Sequence, residues 1–292
     1  MIVFFIMRKS KVLFIGLGRL GFHMSSHLSK YKDIDLYIFN RSKNKLKLWL
    51  KNNKSFLYSD NINEKFDFII TCLKDDAAVH SVLTNKSLIL NLSKNTIVID
   101  HSTISIPQVI KLNAYFKKNN VSFYDAPVSG GEEGAKNAVL SSMIGGSKKN
   151  FNKVKNIINP YCKNITHMGS SGSGQLCKFS NQILICGILI SISEAIKFNN
   201  VNKLDQNKFY NAVLNGAAGS WQFKNRFPTM IKNQFDFGFS TELMAKDLKY
   251  IINHAKKMNV ELNLTTKAFK LYKKLSISKF KNQDTSSILN LI

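Results

Sequence analysis

Lys11-Val12-Leu13-Phe14-Ile15-Gly16-Leu17-Gly18-Arg19-Leu20-Gly21 decides the fold. The apolar run 12–15 is a short buried strand, and glycines 16, 18 and 21 stand where it turns into a helix. The three glycines serve different ends. Gly16 permits a tight turn, Gly18 lets backbone approach a pyrophosphate, and Gly21 allows close helix–strand packing. The helix start adds unpaired N–H groups and a positive dipole end. The same pattern also suits a tight strand–helix turn with no ligand. Its place between a β-rich run and a helical run favours a dinucleotide site, with Gly16, Leu17, Gly18, Arg19 and Leu20 as the contacting stretch.

The end of the second strand bears on which dinucleotide. NAD sites usually carry an Asp or Glu there to hold the ribose hydroxyls. Here the strand ends Phe39-Asn40-Arg41-Ser42. A carboxylate would repel a 2′-phosphate, whereas Arg41 can clamp one with help from Ser42 and Lys45. That favours NADP over NAD; the plainer alternative is that Asn40–Ser42 only cap the next helix.

Further along, β-rich runs alternate with helical ones, the pattern of a parallel sheet. Strands are expected at 12–15, 36–39, 66–73, 96–100, 121–124, 141–144 and 164–167. Helices are expected at 20–30, 43–53, 77–83, 106–119 and 151–158, with Ser105, Pro107 and Ser147 as start signals. After His167 the texture changes. Gly169-Ser170-Ser171-Gly172-Ser173-Gly174 reads as a hinge, and 175–198 as a long apolar helix. Helices at 205–214, 242–258, 265–275 and 286–291 follow. The fold class is therefore α/β: a Rossmann-type N-terminal domain with a mostly parallel sheet over 1–168, then an all-α domain over 169–292.

Three stretches carry candidate chemistry. In Asp125-Ala126-Pro127-Val128-Ser129-Gly130-Gly131 a hydroxyl beside two glycines exposes backbone N–H groups, a seat for a carboxylate or only a turn. Lys178, Asn181 and Gln182 stand at i, i+3 and i+4, so they share one face of an otherwise apolar helix. That polar patch needs partners or a ligand. A lysine becomes a useful acid/base when desolvation and nearby positive charge lower its pKa; by pattern alone Lys178 also reads as an ordinary snorkelling lysine. Lys246-Asp247 would by default be a solvated ion pair, and Trp221 would line a pocket or fill the core.

Bulk composition narrows the classes. The net charge of +24 invites a nucleic-acid or anionic-lipid reading, but the basic residues are 38 Lys and only 4 Arg, and they are scattered. Phosphate readers favour Arg forks, so no specific nucleic acid is expected. Abundant Asn and Ile point instead to biased coding composition, with steering of a small anionic substrate as a side benefit. Cys72, Cys162, Cys177 and Cys186 lack CxxC spacing, so reduced thiols in a cytoplasmic protein are expected rather than disulfides or a metal site. Apolar runs such as 183–190 are far short of the roughly 20 residues that span a bilayer, so no membrane helix is expected. Met1-Ile2-Val3-Phe4-Phe5-Ile6 lacks a preceding positive residue and a cleavage site, which speaks against a signal peptide and leaves Met7 as an alternative start.

Taken together, GLGRLG, Asp100-His101-Ser102-Thr103, DAPVSGG, the GxGQxxKxxNQ-like helix start, Lys246-Asp247-Leu248 and the tail at 283–287 resemble the β-hydroxyacid dehydrogenase family. The resemblance implies a Rossmann-type domain and an all-α domain meeting across a cleft, in homodimers or homotetramers. It implies Lys178 as catalytic acid/base and Ser129, Gly130, Gly131 and Asn181 as the substrate seat, with Gln182, Trp221 and Asp247 as further pocket candidates. Leu73, Thr103 and Lys246 would lie along the cofactor. Many relatives have Asn-Asn where this chain has Asn181-Gln182, and Lys74 stands where a proline is usual. The implied activity is reversible hydride transfer between NADP(H) and a small β-hydroxyacid or its semialdehyde. A catalytically silent cofactor- or nucleic-acid-binding protein on the same scaffold is the alternative. The larger 6-phosphogluconate dehydrogenase would need a longer C-terminal portion.

Overall fold

In a computed structural model, which describes residues 8–59, 62 and 64–292, continuous apolar runs form the strands of one sheet. The readings on Met1–Met7 lie outside the described residues. Strands β1 (Ser10–Ile15), β2 (Ile34–Phe39), β3 (Phe56–Leu57), β4 (Phe68–Thr71), β5 (Ile97–Asp100) and β6 (Ser122–Asp125) pair in parallel in the order 3-2-1-4-5-6. Strand order reverses at β1, and ligands of such sheets bind beyond the carboxyl ends there. β8 (Leu140–Gly145) runs antiparallel to β6 and to β7 (Val128–Ser129), while β9 (Cys162–Gly169) is parallel to β8. Side chains such as Phe14, Ile38, Ile70 and Ile99 fill one face of the sheet, and Leu13, Ile69, Val98 and Phe123 the other. Both faces are buried, as parallel strands require.

The expected strands are all present within a few residues. The expected strand 66–73 is cut to Phe68–Thr71 because Cys72 and Leu73 turn away beside Gly16. Two-residue β3 and β7 are additional; they are too short to carry a period. Helices α1 (Arg19–Leu28), α2 (Lys43–Leu50), α3 (Asp76–Leu83), α5 (Ile106–Lys118) and α7 (Phe151–Ile158) match expectation, while α4 (Lys86–Leu90) and α6 (Gly131–Lys136) are additional. Ser105 Oγ caps α5 by accepting from the Gln108 N–H, and Ser147 caps the 3-10 turn that leads into α7.

The chain divides into two compact units, Met1–Lys178 and Phe179–Ile292. The first extends ten residues beyond the expected boundary at 168/169 because the start of α8 (Ser173–Val201) is bonded into it. Asp125 accepts from the Gly172 N–H at 2.7 Å and the Gln175 N–H at 2.9 Å. A Cβ on Gly174 would meet the Met143 carbonyl oxygen at 2.4 Å, so only glycine lets the helix start so close. The supposed hinge is thus partly the first turn of a helix.

The second unit is helical: the rest of α8, α9 (Gln206–Val213), α10 (Trp221–Met230), α11 (Thr241–Lys257), α12 (Asn263–Ser276) and a 3-10 tail, Thr285–Leu291. Its core includes Cys186, Leu189, Phe227, Met244, Leu248 and Tyr272. α10 is not among the expected helices; its Trp-Gln-Phe-Lys-Asn-Arg-Phe-Pro run weakens the helical signal with aromatics and Pro228. Among the described residues α8 alone is long and apolar enough to cross a membrane, where the sequence pattern suggests no such helix. Its apolarity has a local use: Phe179, Cys186, Leu189, Ile192 and Ile196 are buried in the unit's core.

Candidate active site

The first unit builds its site mostly from backbone. Gly16 has φ +107°, and a Cβ there would meet the Cys72 carbonyl oxygen at 2.4 Å and Leu73 Cδ2 at 2.9 Å. The turn after β1 is thereby pressed against the end of β4 at the point where strand order reverses. A Cβ on Gly21 would stand 2.0 Å from the Gly16 carbonyl oxygen, whereas one on Gly18 meets nothing within 4 Å. Two glycines are therefore required by the chain itself, and the third leaves open space over the start of α1. That helix start carries no acidic residue in its first turn. A nicotinamide dinucleotide fits these residues: the open backbone at Gly18 and the helix N–H groups suit its pyrophosphate.

The neighbouring candidates are drawn in by hydrogen bonds. Asn40 Oδ1 accepts from the Leu17 N–H at 2.9 Å while its Nδ2 donates to the Ser42 carbonyl at 3.0 Å. Ser42 Oγ accepts from the Lys45 N–H, so the capping role of this stretch is real, and Arg41 beside it is exposed. Leu20 packs on the core, and Arg19 is 3.8 Å from Glu132, the residue after Gly131. Gly130 and Gly131 both have positive φ, and a Cβ on Gly131 would meet nothing within 4 Å. Ser129, half-buried, closes β7 immediately before them.

Behind these loops lies a buried polar frame. Asp100 Oδ1 accepts from Thr71 Oγ1 at 2.7 Å and from the Ser102 N–H at 3.1 Å; Ser102 Oγ accepts from the Leu73 N–H at 2.8 Å. Gln175 Nε2 donates to the Ser102 carbonyl at 2.8 Å and its Oε1 accepts from the Ile104 N–H at 3.2 Å. Gln175 thus brackets Thr103 and ties that loop to the start of α8, three residues before Lys178. His101 Nδ1 donates to the Ala126 carbonyl at 2.6 Å, and its Nε2 accepts from the Tyr161 hydroxyl at 3.0 Å. Burial pushes the imidazole down to about 4, which keeps it neutral. Burial pushes the Asp125 carboxyl up to about 6, against the pull of its backbone N–H donors. Gln175, Asp125 and His101 all lie inside the quoted motifs, yet pattern alone gives them no role. The one available signal is a polar side chain at an apolar position.

Lys178 is only 8% exposed, so it is not a snorkelling surface lysine. In the second unit Asn181, Gln182, Lys246 and Asp247 form one group. Gln182 Nε2 donates to Asp247 Oδ2 at 2.7 Å, Asn181 Nδ2 donates to Gln182 Oε1 at 2.9 Å, and Lys246 Nζ stands 2.9 Å from Asp247 Oδ1. Asp247 is wholly buried, so the expected solvated pair is a buried one. Trp221 belongs to another cluster. It is 52% exposed and does not fill the core; Arg226 lies over its ring and over Phe237 while pairing with Asp284 at 3.1 Å.

A parallel sheet in this order, with a glycine-built turn at its switch point, is the architecture of a dinucleotide-binding domain. Residues 11–169 match the family model described as the NAD binding domain of 6-phosphogluconate dehydrogenase, and residues 172–292 match that described as NAD-binding of NADP-dependent 3-hydroxyisobutyrate dehydrogenase. The chain belongs to the β-hydroxyacid dehydrogenase family. It is 31% identical to the mitochondrial 3-hydroxyisobutyrate dehydrogenase of Drosophila melanogaster, over 96% of this chain and 88% of the relative. It is 29% identical to the 2-hydroxy-3-oxopropionate reductase of Escherichia coli, over 97% of both. The fold is that of Mycobacterium tuberculosis 3-hydroxyisobutyrate dehydrogenase solved with L-serine: TM-score 0.87 at 24% identity, over 97% of this chain and 99% of that one. The chain is thus an NAD(P)-binding enzyme of hydroxyacid oxidation or carbonyl reduction.

Proposed function

We propose that this enzyme interconverts a small β-hydroxyacid and its semialdehyde with NADP(H), and that Lys178 is its general acid and base. The observation that carries this reading is a lysine 8% exposed on an apolar helix, followed at i+3 by Asn181. When bound, the nicotinamide ring supplies the hydride exchange at the carbonyl carbon. In reduction the Lys178 ammonium gives its proton to the carbonyl oxygen as the hydroxyl forms; in oxidation the neutral amine takes the hydroxyl proton back. Ser129 with the N–H groups at Gly130 and Gly131 holds the substrate carboxylate, and Asn181 orients it. Such fixing of the reacting carbon contributes a large part of the acceleration. Leu73, Thr103 and Lys246 line the cofactor.

The NADP preference rests on Arg41, exposed beside Ser42 at the end of β2, where an NAD enzyme usually has a carboxylate. Glyoxylate and succinic or related semialdehydes are the favoured substrates, reduced in the cytoplasm; the first two give the α- and γ-hydroxy counterparts of a β-hydroxyacid. Exposed apolar side chains along α8, with Leu184 66% and Phe198 69% exposed, support association of copies into a dimer or tetramer.

The test is a screen of NADPH and NADH consumption with glyoxylate and with succinic, tartronic and methylmalonic semialdehydes. Activity with NADPH is expected, and Lys178→Ala should lower turnover roughly a thousandfold while cofactor binding persists. Undiminished turnover in that variant would overturn the role of Lys178, and a preference for NADH would overturn the reading of Arg41.

A further inference from the structure

A side-chain amide takes its orientation from its partners, because its oxygen and nitrogen ends have nearly the same shape. In the second unit a single carboxylate sets two amides in succession. A carboxylate only accepts hydrogen bonds, so Asp247 Oδ2 must receive the Nε2 end of Gln182, 2.7 Å away. That leaves the Oε1 end of Gln182 toward Asn181. An amide oxygen also only accepts, so Asn181 must offer its Nδ2, at 2.9 Å. Turning Asp247 would not release the series, since both of its oxygens only accept; Lys246 Nζ lies 2.9 Å from the other oxygen, and the Tyr250 ring is 5.0 Å from that ammonium. Gln182 is 1% exposed and Asp247 fully buried, so bulk water does not compete for the bond between them, while the bond from Asn181 to Gln182 is partly buried. Neighbouring residues on a helix do not ordinarily face each other. The bond between residues 181 and 182 therefore draws two divergent side chains together at a cost in rotamer freedom.

We propose that Gln182 is a positioning residue that transmits the orientation imposed by Asp247 to Asn181, so that Asn181 meets the substrate with its carboxamide turned in one sense only. The inference rests on the reading of Asn181 as part of the substrate seat. It gives Gln182 a role that requires no contact with substrate. A glutamine serves here because its carboxamide joins a donor need at one end to an acceptor need at the other. Methionine has similar reach and burial but can do neither.

The experiment is a double-variant cycle in the full-length enzyme, with Gln182→Met, Asn181→Ala and the pair together. The readouts are kcat/KM for the semialdehyde that the screen identifies, NADPH affinity by fluorescence, and thermal unfolding. Gln182→Met is expected to lower kcat/KM about tenfold or more with NADPH affinity within about twofold. The double variant should be no worse than Asn181→Ala alone, because a residue acting through Asn181 has nothing left to orient. Multiplying losses, an unchanged kcat/KM in Gln182→Met, or a loss matched by weaker NADPH binding would each overturn the proposal. If Gln182→Met does not fold, Gln182→Asn takes its place in the same cycle. A silent Asn181→Ala sinks the substrate-seat reading and this inference together. A costly Asn181→Ala beside a silent Gln182→Met sinks only the inference.

Discussion

The two units hold their candidate site residues by different means, although side-chain hydrogen bonds from Ser102 and Gln175 also brace the first. The first relies on missing side chains: Gly16 and Gly21 let a strand end, a turn and a helix start come closer than any Cβ allows. The second relies on present ones: Gln182 and Asp247, 65 positions apart, are bonded in the core with Lys246. The difference teaches where sequence patterns inform. A backbone-built site needs particular residues at adjacent positions, so it leaves a local signature. A network of side chains needs only spatial neighbours, so its members look ordinary one at a time.

The sharpest way to break this comparison is Gly21→Ala. Its methyl would stand 2.0 Å from a carbonyl oxygen of the backbone, which cannot swing aside like a side-chain tip. A stability loss of about 3 kcal/mol is expected in urea unfolding, together with loss of cofactor binding. A variant as stable as wild type would mean that the turn does not depend on this contact.

The first unit also depends on two buried titratable side chains, and their linkage to pH has opposite sign. Asp125 is raised from 3.8 to about 6, so between those values the folded state holds the extra proton and stability falls as pH rises. His101 is lowered from 6.5 to about 4, so the unfolded state holds the extra proton and stability rises with pH across nearly the same window. In wild type the two slopes offset. His101→Gln, which keeps a neutral donor and acceptor, should uncover the falling slope of Asp125. Relative to wild type it should lose about 2–3 kcal/mol of stability between pH 4 and 6, measured by denaturant unfolding at each pH. Parallel curves for the two proteins would show that His101 contributes nothing to the slope.

In the second unit the corresponding test is Asp247→Ala, which removes the acceptor of a buried amide and the partner of Lys246. A loss of about 2 kcal/mol in thermal or urea unfolding is expected. An unchanged midpoint would mean that the network positions side chains without supporting the fold.

Legibility follows the same division. The parallel strands are readable because strands buried on both faces are continuous apolar runs, and α8 because nothing else is so long and apolar. Strands β3 and β7 are not, since two residues cannot show a period. Helix α10 is hidden by its own aromatics and Pro228. The glycine turn is plain in the sequence. Asp247 looks like a solvated partner of Lys246 because adjacency in sequence is the only relation visible there; the glutamine that explains its burial lies on another helix. Gln175 stands in plain view in the helix-start motif, but its use depends on Ser102 and Ile104, which only the fold brings near.

The smallest expected effect on folding is at Gly18, and it separates what the chain needs from what its ligand needs. Gly18 has φ −72° and ψ −173°, a backbone that alanine adopts freely, and a Cβ there meets nothing within 4 Å. Nothing inside the protein therefore requires glycine at this position. Gly18→Ala should unfold within about 0.5 kcal/mol of wild type, as for a substitution away from packed features. If the open space over the start of α1 is where the pyrophosphate lies, the added methyl intrudes on it, and NADPH affinity should fall about tenfold or more in a fluorescence titration. Equal affinity in the two proteins would mean that the cofactor does not approach this backbone, and the glycine pattern would be left with a purely architectural explanation.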